Sequence, residues 1–172
     1  SFLTLGCTVS FGGSMTLEDT GMLTALRHDP GITLLDRAQA KTPEETKKIY
    51  HDALSSDFYF MSTNAITKDG ELVNIDGTGN RVAALIYGPE HVIVMAGMNK
   101  VAANVDEALS RVHGTATPMN CKRLGKNTPC SATGVCSDCL SPDCICNQVV
   151  ITRRSGIEGR IKVILIGEEL GY

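Results

Sequence analysis

The chain of 172 residues is long enough to bury one hydrophobic core, and its 42% hydrophobic and 20% charged residues are typical of a globular protein. A formal net charge of −3 gives no indication of the strongly basic surface that nucleic-acid-binding domains carry. No apolar run reaches the roughly 18 residues of a membrane span, so we expect no membrane binding. From the length and the charge, we expect a single domain over residues 1–172 that does not bind nucleic acid.

Short apolar runs alternate with helix-forming segments along most of the chain. In order, we predict a strand at 7–11, a helix at 16–27, a strand at 32–35, a helix at 42–54, a strand at 57–62, an extended piece at 71–75, a helix at 79–87, a strand at 91–96, a helix at 101–112, and two final strands at 148–153 and 160–166. The run HVIVMA at 91–96 is apolar throughout, as in an inner strand of a parallel sheet that is buried on both faces. The pattern predicts an α/β fold with a single doubly wound, mostly parallel sheet.

A cysteine-rich insertion separates the last predicted helix from the final strands, and we expect residues 114–146 to form a long loop. Six of the seven cysteines lie there: Cys121, Cys130, Cys136, Cys139, Cys144 and Cys146. The Gly, Pro, Ser and Asp residues between them favour turns, which bring thiolates together as in a zinc or iron–sulfur site. Disulfides are the alternative. Residues 1–11 lack the basic segment and cleavage site of a secretory signal, so we expect the cytoplasm, where thiols stay reduced.

Polar, glycine-rich turns follow three of the predicted strands. In open α/β sheets, ligands bind beyond the carboxyl ends of the strands. We therefore expect these turns to hold a small anionic metabolite, with Arg81 gripping the anion through paired N–H groups. The candidate residues in these turns are Gly12, Gly13, Ser14, Asn64, Asp76, Gly77, Gly79, Asn80 and Arg81, and Lys100 after the strand at 91–96 is a further candidate. The alternative is that these turns only cap helices and that Arg81 lies on the surface.

Several stretches together resemble the LUD (lactate-utilisation) domain family, including its lactate-utilisation protein C type. They are VSFGGSMT at 9–16, the long run at 62–100 that contains NIDGTGNR, TGVCSDC at 133–139, and the terminal VILIGEELGY. The resemblance implies a fold similar to ribose-phosphate isomerases and CoA-transferases, and a helical segment before Ser1 that this chain lacks. It also implies a role in the oxidation of lactate to pyruvate together with iron–sulfur partner subunits. In the longer members of the family the cysteines match Cys130, Cys136, Cys139 and Cys146, which would hold a 4Fe-4S cluster.

A more distant similarity links DGELVNIDGT at 69–78 to methylthioribose-phosphate isomerases. The acid of those isomerases falls on Asn64, and their motif lysine falls on Ile75. An amide does not shuttle protons as a carboxylate does. The similarity therefore favours a retained pocket without sugar-phosphate isomerisation.

Three hypotheses about function follow from these observations. The first is an accessory oxidoreductase subunit of a lactate or related organic-acid utilisation system that binds a small anion and an iron–sulfur cluster. The second is a stand-alone enzyme for a small phosphorylated or carboxylated metabolite, with structural zinc. The third is a non-catalytic binding module whose cysteine loop is a docking surface.

Overall fold

The computed structural model describes residues 3–172. Within them the strands are β1 (Thr8–Phe11), β2 (Thr33–Leu35), β3 (Phe58–Met61), β4 (Ala65–Thr67), β5 (Leu72–Asp76), β6 (His91–Gly97), β7 (Val101–Ala102), β8 (Gln148–Thr152) and β9 (Ile161–Ile166). The α-helices are α1 (Met15–Asp19), α2 (Met22–Arg27), α3 (Pro43–Ala53), α4 (Asn80–Ile86), α5 (Val105–Arg111), α6 (Thr117–Arg123) and α7 (Pro129–Thr133). Short 3₁₀ turns lie at Arg37–Gln39 and Met98–Lys100, and a π-helical turn at Val112–Ala116 joins α5 to α6.

The main sheet has the strand order β2-β1-β3-β6-β9, and every pair in it is parallel. The prediction of a mostly parallel α/β sheet is confirmed, and so is the inner position of residues 91–96, because β6 lies between β3 and β9. The strand order reverses at β1, whose neighbours are β2 and β3. At such a reversal the loops leave in opposite directions and open a crevice at the carboxyl edge.

Both faces of the main sheet are covered, as the alternating side chains of β3 demonstrate. Phe58 and Phe60 belong to a core cluster with residues of α1 and α2. Tyr59 and Met61 point the other way, into a second cluster with residues of α3 and α4. Successive side chains of a strand point to opposite faces of the sheet, and here helices pack on both faces to form two cores. The sheet is therefore doubly wound.

A second sheet with the order β7-β4-β5-β8 adjoins the first, where the sequence pattern predicted one sheet only. Its origin is local: Gly70 takes a φ of 88° in the turn between β4 and β5, and these strands pair antiparallel. That backbone conformation favours glycine. The strand β8 adds antiparallel to β5, and α5 covers the sheet with a small third core. The predicted strand at 148–153 thus exists, but it belongs to the second sheet.

Three predicted segments differ in detail from the structure. The helix at 16–27 is split into α1 and α2 at Gly21, which has a φ of 70°. The helix at 101–112 begins only at 105, because the side chain of Asn104 accepts a hydrogen bond from the Glu107 N–H at 2.9 Å and caps it. The loop at 114–146 contains α6 and α7, and Thr128 caps the latter. Within residues 3–172, no helix has both the length and the apolar composition that a bilayer crossing requires.

Candidate functional site

The turn after β1 lies tightly packed at the crevice. A Cβ on Gly12 would come 3.1 Å from Cδ of Arg81, and a Cβ on Gly13 would collide with the guanidinium of Arg37. A side chain at Gly12 would therefore crowd the buried Arg81, whereas one at Gly13 would require the flexible Arg37 side chain to move. Ser14 caps α1, since its Oγ accepts a hydrogen bond from the Leu17 N–H at 3.3 Å.

Arg81, at the start of α4, turns inward and anchors the floor of the crevice. Its side chain is only 13% exposed. Each of its donor nitrogens lies near a protein acceptor: Nη1 donates to Ser62 O (3.2 Å) and Asn74 Oδ1 (2.5 Å), Nη2 donates to Asn64 Oδ1 (2.9 Å) and Ile75 O (2.8 Å), and Nε lies 3.4 Å from Asp76 Oδ2. Burial lowers the pKa of Arg81, and the Asp76 carboxylate opposes that shift. Four of the five N–H donors of the guanidinium are used in these hydrogen bonds, and the fifth, on Nε, faces the Asp76 carboxylate across an ion pair. Arg81 thus gives the site positive charge while four of its five donors are already used within the protein.

The turn from Asp76 to Asn80 is held by its own side chain and by the cysteine-rich segment. Asp76 Oδ1 accepts hydrogen bonds from the N–H groups of Thr78 (3.2 Å) and Gly79 (2.9 Å). Asn147 donates from its backbone N to Asp76 O at 3.0 Å and from Nδ2 to Gly77 O at 2.9 Å. The segment after the cysteines therefore closes over the turn that was predicted to hold the ligand.

A cavity of about 450 Å³ lies between these turns, α6 and the end of the cysteine-rich segment. Of the predicted site residues, Gly13, Asn64, Asp76, Gly77, Asn80 and Arg81 line it. Its charged side chains are Arg37, Arg81, Arg123, Lys126, Asp76 and Asp143, so cations outnumber carboxylates. A cleft lined mainly by one sign of charge attracts ligands of the opposite sign.

A smaller cavity of about 80 Å³ lies beside the first and takes in two more of the predicted residues, Ser14 and Lys100. Arg123 lines both cavities. Nε of Arg123 donates to Tyr172 Oη at 2.5 Å, and Nη2 donates to Asn120 Oδ1 at 2.8 Å. Gly12 and Gly79 support the turns but line neither cavity.

Lys100 is a buried basic group at the site. The residue is 3% exposed, and its Nζ donates to Ser62 Oγ at 3.1 Å and to Thr63 O at 3.3 Å. Burial lowers the pKa of Lys100 to about 7, helped by the positive charges of Arg111 and Arg81 and opposed by Asp19. A lysine with this pKa is partly a neutral amine, and hence a nucleophile, at neutral pH.

Sequence reasoning missed Arg37, Arg123 and Tyr172 as site residues. The Cζ atom of Arg37 lies 5.9 Å from the centroid of the Tyr50 ring. Arg37 follows β2 in the chain, and its side chain lines the cavity. Arg123 and Tyr172 are 49 positions apart and meet only because the C-terminal segment returns to the carboxyl edge. Nothing local in the sequence marks such a meeting. One available signal was the position of Tyr172 beyond the last strand.

The cysteines, all within residues 3–172, are free thiols. Burial raises the pKa of Cys121 to about 11, and the neighbouring thiols of Cys130 and Cys144 add to the shift. Burial likewise raises the pKa of Cys146 to about 12, with further contributions from Cys144 and Cys121. Cys121 thus interacts with each of the other three thiols, and Cys144 interacts with Cys146.

The remaining two cysteines of the segment have different surroundings. Cys139 lies near Cys144, and hydrogen bonds from Ser141 lower the pKa of its thiol. Cys136 lies 3.4 Å from Nδ1 of His113. Among the described residues, no three His, Cys, Asp or Glu side chains are arranged to hold a metal ion as they stand.

Comparison with known proteins places the sequence in a family context. Residues 1–166 match the family model described as LUD domain. No curated protein matches the chain.

Three solved structures are similar in shape. A DUF162 family protein from Deinococcus radiodurans matches at 12% identity with a TM-score of 0.40, over 94% of this chain and 88% of that one. The delta subunit of eIF2B from Chaetomium thermophilum matches at 20% identity with a TM-score of 0.36, over 62% of this chain and 46% of that one. The tetrameric eIF2B-beta2-delta2 complex of the same organism also matches at 20% identity, with a TM-score of 0.36, over 59% of this chain and 39% of that one.

Proposed function

The chain belongs to the LUD domain family, which indicates involvement in lactate utilisation, and on that premise we propose that it binds a small carboxylate in the cationic cavity at the carboxyl edge of its main sheet. The observation that carries this proposal is the charge of the cavity: Arg37, Arg123 and Lys126 form its rim, above the buried Arg81. Since four of the five Arg81 donors are occupied and the fifth faces Asp76, direct bonds to the anion come from the rim. Arg81 contributes long-range attraction.

In that role, the chain binds and orients the acid. A carboxylate at the rim accepts charge-assisted hydrogen bonds, which are roughly twice as strong as neutral ones. The neighbouring small cavity, with Lys100 and Ser62 at its inner end, then receives the hydroxyl or carbonyl end of the same molecule. Lactate and pyruvate differ only at that end.

Calorimetric titration tests the proposal. We expect lactate and pyruvate to bind, and lactamide, which has the same shape without the charge, to bind at least tenfold more weakly. Equal affinity for lactate and lactamide would contradict a carboxylate site. Binding of phosphorylated sugars in preference to both acids would favour the alternative of a stand-alone enzyme.

We further propose that the cysteine-rich segment holds a 4Fe-4S cluster. Soft thiolates are the ligands of such clusters, and the neighbouring thiols of Cys121, Cys130, Cys144 and Cys146 support a shared site. The family resemblance favours Cys130, Cys136, Cys139 and Cys146 instead, so that Cys130 and Cys146 are common to both sets. When bound, the cluster would exchange single electrons with iron–sulfur partner subunits in the cytoplasm, where thiols stay reduced.

Anaerobic purification followed by iron, sulfide and zinc analysis tests this second part. We expect about four irons and four sulfides for each chain, with the brown colour of an iron–sulfur protein. Colourless protein with one zinc would favour the stand-alone enzyme with structural zinc. Protein without metal that still captures a partner subunit would favour a binding module.

A further inference from the structure

Lys100 carries a buried amine, and the binding role described above does not by itself require an amine at this position. It lies at the carboxyl end of β6, in the 3₁₀ turn Met98–Lys100, and forms part of the wall of the small cavity. Among residues 3–172, no carboxylate forms an ion pair with it. A buried ammonium without a counter-charge is unfavourable, so the fold favours the neutral amine.

The hydrogen-bond partners of Lys100 suit the neutral form. A neutral amine has two N–H donors and one lone pair, whereas an ammonium has three donors. The structure supplies two acceptors, Ser62 Oγ and Thr63 O, at 3.1 and 3.3 Å. These two acceptors match the two donors of the amine and leave its lone pair unengaged.

The small cavity limits what can meet that lone pair. Its volume of about 80 Å³ is that of a few water molecules, each of which takes roughly 30 Å³ in the liquid. Arg123 lines the same cavity, and within residues 3–172 its Nη1 donates to no protein acceptor. A three-carbon acid therefore has room to place its carboxylate near Arg123 and its other end near Lys100.

We propose that Lys100 forms a covalent imine with small 2-oxo acids such as pyruvate. The nitrogen lone pair attacks the carbonyl carbon, forming the C–N bond while the carbonyl oxygen takes up a proton. The resulting hydroxyl group then leaves as water, and the product is a protonated imine. In sum, the neutral amine, the 2-oxo acid and one proton from solvent give the iminium ion and one water, and nothing is oxidised or reduced.

This inference deepens the proposed function, since it assigns the 2-oxo acid product of lactate oxidation to a particular atom of the same site. It also gives a physical reason for separating the two cavities. The rim selects for a carboxylate, and the amine distinguishes a carbonyl from a hydroxyl. Lactate, which lacks a carbonyl, cannot react at Lys100.

Reductive trapping tests the proposal. The intact chain is incubated with pyruvate and cyanoborohydride, which reduces an imine to a stable amine, and the adduct is located by peptide mass spectrometry. We expect one adduct for each chain, on Lys100, formed at least tenfold faster than on any exposed lysine. The Lys100→Met variant should give none, and the variant of the exposed Lys68, Lys68→Met, should behave as the wild type.

Two further arms separate the possible failures. Lactate should give no adduct, and acetone, which has a carbonyl but no carboxylate, should react at least tenfold more slowly than pyruvate. Labelling spread evenly over the lysines, or its absence from Lys100 in the wild type, would overturn the inference even if Lys100→Met failed to fold. If pyruvate still binds in calorimetry without trapping, the imine alone is wrong. If neither pyruvate nor lactate binds, the proposed function is wrong as well.

Discussion

Nη2 of Arg81 donates a hydrogen bond to Oδ1 of Asn64 at 2.9 Å, and this contact ties the start of α4 to the turn between β3 and β4. The same Asn64 oxygen accepts from the Ile75 N–H at 3.0 Å. One amide thus joins the two turns that border the cavity. In the isomerases that this stretch distantly resembles, an acid stands at the corresponding position. Here the amide oxygen acts as a structural acceptor.

Replacing Arg81 by Met should destabilise the fold. The change leaves the oxygen atoms of Asn64 and Asn74 and the Asp76 carboxylate without their buried cation, and breaking a buried ionic network costs about 3–5 kcal/mol. Denaturant unfolding of Arg81→Met against the wild type measures the loss. The exposed Arg154 supplies the control, Arg154→Met, which should change the free energy of unfolding by less than about 0.5 kcal/mol. A similarly small loss for Arg81→Met would contradict the anchoring role.

Anion binding should depend on the rim. We expect Arg123→Gln and Arg37→Gln each to weaken lactate and pyruvate binding by about 1.5–3 kcal/mol, since hydrogen bonds to charged groups have that value. Calorimetric titration gives the affinities, with Arg154→Gln as the control of equal charge change. If all three variants bind as the wild type does, the anion lies elsewhere.

The sequence predicted the turns well because their signals are local. The glycine pair after β1 and the polar run after β5 follow apolar strands directly, and topology then places both at one sheet edge. The buried position of Arg81, by contrast, could not be predicted from neighbouring residues in the sequence. Its acceptors come from Ser62, Asn64 and Asn74, which only the pairing of β4 with β5 brings around one guanidinium. The second sheet was missed for a similar reason, since β4 and β7 are too short to show a period.

The Gly97→Ala substitution should weaken the packing of the C-terminal segment at residues 168–171. A Cβ at this position would lie 2.6 Å from the Leu170 N and 2.7 Å from the Glu168 O, and neither backbone atom can rotate away. We therefore expect faster hydrogen exchange at Leu170 and Gly171, together with a lower free energy of unfolding. Gly114→Ala, where a Cβ meets nothing within 4 Å, is the matched control. Unchanged exchange at Leu170 would show that the segment does not depend on this close packing.

Serine variants should distinguish the two cysteine sets. In anaerobically purified protein, we expect Cys144→Ser to lose iron and Cys136→Ser to keep it, because Cys144 neighbours Cys121 and Cys146 whereas Cys136 contacts His113. Cys130→Ser and Cys146→Ser should lose iron under either set. Iron and sulfide content, measured for each chain, decides between them. Iron lost from Cys136→Ser but kept in Cys144→Ser would support the set that the family resemblance implies.

Stability should depend on pH through Lys100. Its pKa is about 7 in the folded protein, against 10.5 for an ordinary lysine, so between these values the unfolded chain binds more protons than the folded one. The free energy of unfolding contributed by this group therefore rises with pH from about 7 to 10.5, and the full cost of burial is present below pH 7.

Lys100→Met removes that cost. Relative to the wild type, the variant should thus gain more stability at pH 6 than at pH 10, by up to roughly 4 kcal/mol, since each pH unit corresponds to about 1.36 kcal/mol. Urea unfolding at both pH values measures the difference, and Lys68→Met controls for the loss of a surface charge. A difference between Lys100→Met and the wild type that is the same at pH 6 and pH 10 would mean that Lys100 keeps its proton in the folded protein.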